Sequence, residues 1–188
     1  MPKLTYRLNR DITPFGWLCI RWLYISAFPT NERKPFSRIL SMMREGKSDI
    51  WYFEKDGCFA GFATTIHDED LILIDYLAVV GKKRASGVGS AMLAALKVRS
   101  EKALFVEIES MYEPGDDQPD RIRRKHFYVK NGFVPMNVMA DVFGVKMELL
   151  CWKGTLNFER YYAFYRDNYS QWAADDIHQA EHPESVNG

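Results

Sequence analysis

Apolar and polar residues alternate over residues 4–8 at the start of the chain, a pattern typical of a half-buried strand. Two helices are predicted next. The first begins at Pro14 and has a wide apolar face formed by Trp17, Leu18, Ile20, Leu23, Tyr24 and Ala27. The second covers residues 36–43 and closes at Gly46. The chain therefore begins with one strand and two helices.

The middle of the chain has the pattern of strands. Residues 50–55 and 58–66 flank the dipeptide Asp56-Gly57, which favours a β-hairpin. Residues 71–80 form a nearly continuous apolar run, typical of a strand buried on both faces. A loop over residues 81–86 then enters a helix whose apolar positions are Val88, Met92, Leu93, Leu96 and Val98.

The last third of the sequence predicts further strands and helices. A strand over residues 103–108 precedes a turn-rich acidic segment and a helix that ends at Gly132. Two short strands follow within residues 133–151, and an aromatic-rich helix covers residues 156–172. Residues 1–172 are thus predicted to form one α+β domain that includes a C-terminal helix. The polar residues 173–188 are predicted to be a flexible tail.

Composition and charge narrow the classes of protein. The 188 residues fit one domain, and the 25 Lys and Arg residues balance the 25 Asp and Glu residues. No global basic field draws such a chain to nucleic acid or to an anionic membrane, so neither partner is expected. The three cysteines lie far apart, which predicts no disulfide framework and no metal site. No long apolar run or signal-peptide core is present, so a cytoplasmic location is expected.

A glycine-bearing loop lies between the buried strand and the following helix. A phosphate group needs several backbone N–H donors aimed at one point with no side chain in the way, and the first turn of a helix supplies them. The segment 84–90 reads Arg-Ala-Ser-Gly-Val-Gly-Ser, and Lys82 and Lys83 add positive charge before it. It matches neither the nucleotide P-loop nor the dinucleotide-binding pattern. The segment is interpreted as a diphosphate cradle, against the alternative of a tight strand-to-helix turn.

The sequence Arg84-x-x-Gly87-x-Gly89, after an apolar strand ending in Leu77-Ala78-Val79, resembles the coenzyme A signature of the GNAT superfamily of N-acetyltransferases. The resemblance implies a GNAT-like acyl-CoA N-acyltransferase fold with a mixed, largely antiparallel sheet of about seven strands and helices on both faces. The sheet is expected to be splayed at the cofactor site. The coenzyme is expected to contact Leu77, Ala78, Val79, Arg84, Ala85, Ser86, Gly87, Val88, Gly89 and Ser90.

A second segment, residues 124–133, closely resembles another motif of that family, an aromatic-Tyr pair on a helix that ends in glycine and Phe. The resemblance implies that Tyr128 protonates the leaving thiolate and that Phe127 and Lys130 lie at the coenzyme. The chemistry is reasonable because the pKa values of a phenol and a thiol differ by about two units. The basic residues at positions 121, 123, 124 and 125 are either a solvated face or contacts for the 3′-phosphate of the coenzyme.

The sequence offers four candidate carboxylates for the base that must deprotonate an ammonium acceptor. In order of preference they are Glu107, Glu109, Glu32 and Asp75. Glu107 and Glu109 are two apart on a predicted strand and thus on one face. Glu107 and Asp75 interrupt apolar strands, where an unpaired charge is costly. Each of the four carboxylates has the alternative interpretation of a structural ion pair.

These observations predict an acyltransferase that moves an acetyl group from acetyl-CoA directly to a primary amine. The acceptor, a small molecule or a peptide, is not determined. A non-catalytic module that binds or senses acyl-CoA is the alternative. A third hypothesis is an interaction domain that uses its aromatic C-terminal helix as a homodimer interface.

Overall fold

The computed structural model describes residues 4–83 and 86–181, apart from the side chain of Asn31. The strands within these residues are β1 (Leu4–Leu8), β2 (Ser48–Lys55), β3 (Cys58–His67), β4 (Leu71–Val79), β5 (Ala103–Glu109), β6 (Val134–Val142), β7 (Val145–Trp152) and β8 (Ile177–Ala180). The α-helices are α1 (Pro14–Ala27), α2 (Phe36–Arg44), α3 (Val88–Arg99), α4 (Gln118–Lys130), α5 (Phe158–Asn168) and α6 (Gln171–Asp175).

The first of two compact units comprises Met1–His67 and Ile74–Glu101. Strand β2 pairs antiparallel with both β1 and β3, and a bulge lies between Phe53 and Glu54. The hairpin between β2 and β3 turns at Asp56 and Gly57, whose φ angles of 55° and 74° fit the predicted Asp-Gly turn. The core of this unit contains buried side chains from α1, α2 and the sheet, among them Ile20, Leu23, Tyr24, Ile39, Ile50, Phe62 and Tyr76.

The second unit comprises Asp68–Leu73 and Lys102–Gly188. Here the start of β4, Leu71–Leu73, pairs in parallel with Ala103–Phe105 of β5. The other strand pairs, β5 with β7, β7 with β6 and β6 with β8, are antiparallel. The sheet is therefore mixed and largely antiparallel, as the resemblance implies. Helix α5 covers Phe105 through edge-to-face contacts of its ring with Tyr161 and Phe164.

The C-terminal region differs from the prediction in two ways. The predicted single helix is two helices, because Ser170 begins α6 by accepting a hydrogen bond from the backbone of Ala173. The segment predicted as a flexible tail contains β8, whose residues pair antiparallel with Met139–Val142 of β6. The described sheet therefore has eight strands rather than about seven. Strand β8 was missed because four residues carry too little periodicity, and its pairing partner lies far away in sequence.

The aromatic stripe of α5 is part of the core of its own unit. Tyr161 and Phe164 are 0% exposed and Tyr165 is 4% exposed. These three side chains are therefore already covered by their own unit, whereas Phe158, Tyr162 and Tyr169 of the same stripe are only half-buried, so the homodimer interface stays a prediction. Within the described residues, no helix combines the length and apolar character needed to span a bilayer.

Candidate active site

The predicted diphosphate cradle lies in the first unit, at the start of α3. Gly87 precedes this helix with φ 78° and ψ 0°, a left-handed conformation that glycine adopts at little cost. A Cβ atom at Gly87 would meet nothing within 4 Å, so the backbone there faces open space. Ser86 and Gly87 are exposed and Val88 is buried. The glycine thus sets the backbone direction and leaves the approach to the helix start open.

Helix α3 presents its first amides at that open approach. The N–H groups of the first turn have no acceptor within their own helix, and the helix dipole is positive at this end. Hydrogen bonds fix the turn itself, because the Lys83 amide donates to Val80 O at 2.8 Å and Ser86 Oγ donates to Lys83 O at 2.7 Å. The predicted residues Ser86, Gly87, Val88, Gly89 and Ser90 are brought together in this arrangement. The predicted contacts Arg84 and Ala85 lie outside the described residues.

The end of β4 carries the three residues expected to contact the pantetheine arm. The ladder between β4 and β5 covers Leu71–Leu73 on the β4 side, so Leu77, Ala78 and Val79 lie beyond it. On its other edge β4 neighbours β3, and the Val80 amide donates to Ala60 O at 2.9 Å. A Cβ at Gly61 of β3 would lie 2.3 Å from Ala78 O, so only glycine permits the two backbones to approach this closely.

Asp75, one of the candidate bases, lies four residues before Val79 on β4 and forms an ion pair. Lys34 Nζ lies 2.6 Å from Asp75 Oδ1, and the carboxylate side chain is 9% exposed. The Lys34 ammonium also lies 5.7 Å from the centre of the Tyr76 ring. The costly charge within an apolar strand is thus offset by Lys34, a partner not predicted from sequence.

Glu32, the other candidate in the first unit, lies in the connection between α1 and α2. Its carboxylate is exposed, and its backbone carbonyl accepts a hydrogen bond from Tyr76 Oη at 3.0 Å. Tyr76 Oη in turn accepts from the Lys34 amide at 3.0 Å, and Tyr24 Oη donates to Lys34 O at 2.8 Å. Burial raises the pKa of Tyr76 well above its ordinary value. Two neutral phenols therefore fix this connection against β4.

Tyr128 lies in the second unit, near the end of α4. The Phe133 amide donates to Tyr128 O at 3.1 Å and the Gly132 amide donates to Val129 O at 2.8 Å, with φ 79° at Gly132. These two bonds define a Schellman motif, and the rings of Tyr128 and Phe133 pack at 5.5 Å as its hydrophobic contact. The spacing Tyr-Val-Lys-Asn-Gly-Phe thus has a local structural cause, a fixed helix end that orients the tyrosine.

Burial determines the protonation state of Tyr128. The side chain is 9% exposed and packs against Phe127, whose ring centre lies 5.1 Å away. Desolvation raises the pKa of Tyr128 to about 12, although nearby Arg124 acts in the opposite direction. The phenol is therefore protonated throughout the neutral and mildly alkaline range. Lys130, the remaining predicted cofactor residue of this helix, is exposed.

Glu107 is half-buried on β5 and lies against α5. Tyr165 Oη donates a hydrogen bond to Glu107 Oε2 at 3.0 Å. The pKa of Tyr161 is raised, mainly by burial and further by the nearby charge of Glu107. The aromatic residues of α5 therefore form part of the surroundings of this carboxylate. In sequence that helix shows only an aromatic stripe, so these contacts were not predicted.

Glu109, two residues further along β5, contacts α4 instead. Arg121 Nε lies 3.0 Å from its Oε2 and Arg124 lies 3.4 Å from its Oε1. The two strand carboxylates thus meet different helices. Arg121 also pairs with Asp117 at 2.9 Å, which ties the acidic segment before α4 to the same cluster.

The four basic residues of α4 at positions 121, 123, 124 and 125 each have an acidic partner. Besides the two arginines at Glu109, Arg123 pairs with Asp120, and Lys125 Nζ lies 2.9 Å from Oε1 of Glu148. This pairing favours the structural interpretation of these four basic residues over 3′-phosphate recognition. Glu148 on β7 was not identified from sequence, although a lone acid in a strand that reads Met-Glu-Leu-Leu-Cys was a usable signal.

The described part of the chain contains no candidate metal-binding site. Within residues 4–83 and 86–181, no three His, Cys, Asp or Glu side chains gather closely enough to hold a metal ion. His67 instead lies 3.2 Å from Asp49 and 3.1 Å from Thr65 Oγ1, through the same ring nitrogen. That geometry is structural, since a catalytic relay uses both ring nitrogens.

Comparisons with known proteins agree with this architecture. Residues 46–135 match the family model described as the acetyltransferase (GNAT) domain. Over 133 residues the chain is 29% identical to YjbC of Bacillus subtilis (strain 168), an acetyltransferase candidate, in a match that covers 66% of this chain and 65% of YjbC. The chain therefore spans just under two thirds of the length of that curated relative.

Two solved structures share the fold. A GNAT-family acetyltransferase candidate of Bacteroides thetaiotaomicron superposes with a TM-score of 0.71 at 19% identity, covering 87% of this chain and 94% of that one. A GNAT-family acetyltransferase of Elizabethkingia anophelis, solved with acetyl-CoA bound, gives a TM-score of 0.58 at 17% identity, covering 79% and 97%.

The mixed sheet and the glycine-started helix after β4 define an acyl-CoA N-acyltransferase fold. Residues 46–135 thus match the GNAT acetyltransferase domain, and the chain shares the fold of GNAT-family structures. The predicted fold class is thereby confirmed, and the domain match agrees with the predicted resemblance to the GNAT family.

Proposed function

We propose that this protein transfers the acetyl group of acetyl-CoA directly to a primary amine. The observation that carries the proposal is the open, glycine-started first turn of α3 immediately after β4. Backbone amides and the helix dipole at such a turn suit a pyrophosphate, the charged centre of coenzyme A. The acetyl-CoA in the related Elizabethkingia anophelis structure supports the choice of cosubstrate.

The backbone of Leu77, Ala78 and Val79 is proposed to bind the pantetheine arm as an added strand would. Its support is the short ladder between β4 and β5, which covers only Leu71–Leu73 of β4. A backbone N–H near Val79 would then hold the thioester carbonyl and stabilise the oxyanion of the tetrahedral intermediate.

Tyr128 is proposed as the general acid. The acceptor nitrogen forms the new C–N bond first, which gives the tetrahedral intermediate. When that intermediate collapses and the C–S bond breaks, the phenol delivers its proton to the departing thiolate. The raised pKa of about 12 supports this role, because the proton is present at every physiological pH. Phe127 and Phe133 pack against the ring and limit its freedom.

Glu107 is proposed as the base that removes a proton from the acceptor ammonium, directly or through water. The hydrogen bond from Tyr165 orients its carboxylate without neutralising it. Glu109 and Asp75 are weaker candidates because arginine or lysine groups occupy their oxygens. Glu32 remains a candidate, since it is exposed in a connection fixed by Tyr76.

Calorimetry with acetyl-CoA, followed by release of free thiol in the presence of a panel of small-molecule and peptide amines, tests this function. We expect saturable binding and thiol release that depends on the amine. Binding without amine-dependent thiol release would favour the alternative of a non-catalytic acyl-CoA sensor. Failure to bind acetyl-CoA at about millimolar concentration, an affinity of only about 4 kcal/mol, would exclude both functions.

A further inference from the structure

Helix α1 exposes four large apolar side chains along one stripe. Phe15 is 71% exposed, Leu18 64%, Trp22 60% and Ile25 51%. Their spacing of three, four and three residues places them on one face of a helix, as in the seam of a coiled coil. Exposed apolar residues are ordinary when scattered, but a contiguous set of this size indicates an interaction surface.

The opposite face of α1 already forms the core of the first unit. Ile20, Leu23 and Tyr24 are at most 3% exposed, and the Tyr24 ring packs edge-to-face on Tyr76 at 5.0 Å. Arg21 is the only charged residue in the 14 residues of α1. A helix that is apolar on both faces is normally buried on both. The four side chains of the stripe therefore take no part in the core of this unit.

Two occupants other than a second copy of the chain fit the stripe poorly. A helix that lies in a membrane interface carries a polar face rich in Lys and Arg, whereas α1 has a single arginine and a buried opposite face. Residues 1–3 and 182–188 contain Met1 and Val186 as their only large apolar residues apart from proline. Four large side chains require a larger apolar partner surface than these two short segments contain.

We propose that the stripe binds the same stripe of a second copy, with the two α1 helices antiparallel about a twofold axis near residue 20. In this register Phe15 meets Ile25 of the partner subunit, and Leu18 meets Trp22 of the partner subunit. Each contact pairs an aromatic with an aliphatic side chain, so one surface is complementary to itself, as a twofold dimer requires. Arg21 stays at the rim, where its charge keeps its water.

The area is sufficient for a dimer of modest affinity. At about 200–250 Å² for each fully exposed aromatic side chain, Phe15 and Trp22 would together bury about 300 Å² per copy. With Leu18 and Ile25 included, the two copies would bury roughly 1,000 Å² in total, the lower limit for a specific interface. This proposal does not depend on the catalytic function.

Sedimentation velocity over about 1–500 µM tests the dimer, a range that covers affinities near 5–8 kcal/mol. The full chain is expected to shift from monomer to dimer as its concentration rises. Trp22→Glu and Leu18→Glu should each weaken dimerisation at least about 30-fold, since central apolar anchors dominate interface energetics. Val98→Glu, at an 89% exposed position of α3, is the matched control and should leave dimerisation unchanged.

A monomer at every concentration overturns the proposal, as does a dimer that survives both glutamate variants. A monomer that instead floats with phosphatidylcholine vesicles would assign the stripe to a membrane. Circular dichroism of each variant confirms folding, which substitutions at exposed positions should preserve.

Disulfide cross-linking tests the register in a background of Cys19→Ser and Cys58→Ser, with buried Cys151 left in place. An antiparallel pair predicts that a mixture of Leu18→Cys and Trp22→Cys chains cross-links faster than either chain alone. Faster cross-linking of each variant with itself would indicate parallel helices and overturn the proposed arrangement.

Discussion

Lys125 Nζ lies 2.9 Å from Oε1 of Glu148, a carboxylate that is 0% exposed and belongs to a strand opposite Ile108. Neither Glu148 oxygen has a hydrogen-bond partner of good geometry within the described residues, so the ion pair is the main compensation for burying its charge. The same helix carries Tyr128 one turn later. This pair therefore joins α4 to β7 close to the proposed acid.

Replacement of Lys125 should destabilise the folded protein. Lys125→Met leaves a buried carboxylate without its cation, and we expect the free energy of unfolding to fall by about 3–5 kcal/mol. The double variant Lys125→Met, Glu148→Leu should recover most of that loss, because no charge is then buried. Urea denaturation measures both. Lys146→Met, which breaks the half-exposed pair with Asp141, serves as a control and should cost less than about 1 kcal/mol.

Tyr128→Phe should lower kcat roughly ten- to a thousandfold with little change in the KM for acetyl-CoA, because only the proton is lost. Since the pKa of Tyr128 is about 12, its protonated form persists as pH rises through the ordinary phenol range. The activity of the unsubstituted protein should therefore show no loss due to this group below about pH 11. Steady-state rates from pH 6 to about 10 check this, with exposed Tyr6→Phe as the control. Unchanged turnover in Tyr128→Phe would remove the phenol from the mechanism.

The two strand carboxylates should respond differently to substitution. Glu107→Gln is expected to reduce kcat about 100-fold or more, whereas Glu109→Gln should mainly reduce stability by releasing Arg121 and Arg124. Tyr165→Phe, which removes the hydrogen bond to Glu107, should have a smaller effect on kcat than Glu107→Gln. Rates and urea midpoints measured on the same preparations separate the two roles. If Glu109→Gln alone abolished turnover, the proposed base would be the wrong one.

Gly87 and Gly46 have similar backbone conformations, so their alanine variants can be compared directly. Both have positive φ, 78° and 75°, and a Cβ atom at either position would meet nothing within 4 Å. Alanine at either position should thus cost a similar backbone strain of about 1 kcal/mol. Only Gly87→Ala should weaken acetyl-CoA binding, by about tenfold or more, because only its turn is proposed to face the pyrophosphate. Equal affinities in the two variants, measured by calorimetry, would contradict that role for the turn.

Local sequence patterns predicted the turns and helix ends, whose conformations depend on residues close together in the chain. The Asp56-Gly57 turn, the start of α1 and the glycine stop after α4 each follow from one residue's preference for a backbone conformation. The Schellman motif explains why the residues that resemble the family's second motif occur at fixed spacing. These features could be read directly because their causes lie within a few residues.

The ion pairs and hydrogen bonds of the candidate residues could not be predicted from local sequence patterns. Lys34 meets Asp75 across 41 positions, and Tyr165 meets Glu107 across 58. Strand β8 forms only through its contact with β6. The order of preference drawn from sequence placed Glu109 second, yet Glu109 and Asp75 are held by cations and Glu32 is exposed.

The sequence by itself determined the glycine turn before α3 and the helix end that carries Tyr128, because backbone preference acts over short distances, and its resemblance to two family motifs implied the GNAT-like fold. The tertiary structure decided which charges are paired, how far Tyr128 is desolvated and which apolar face of α1 remains uncovered. Those properties depend on burial and on contacts between distant residues, and a linear pattern of side chains does not specify them.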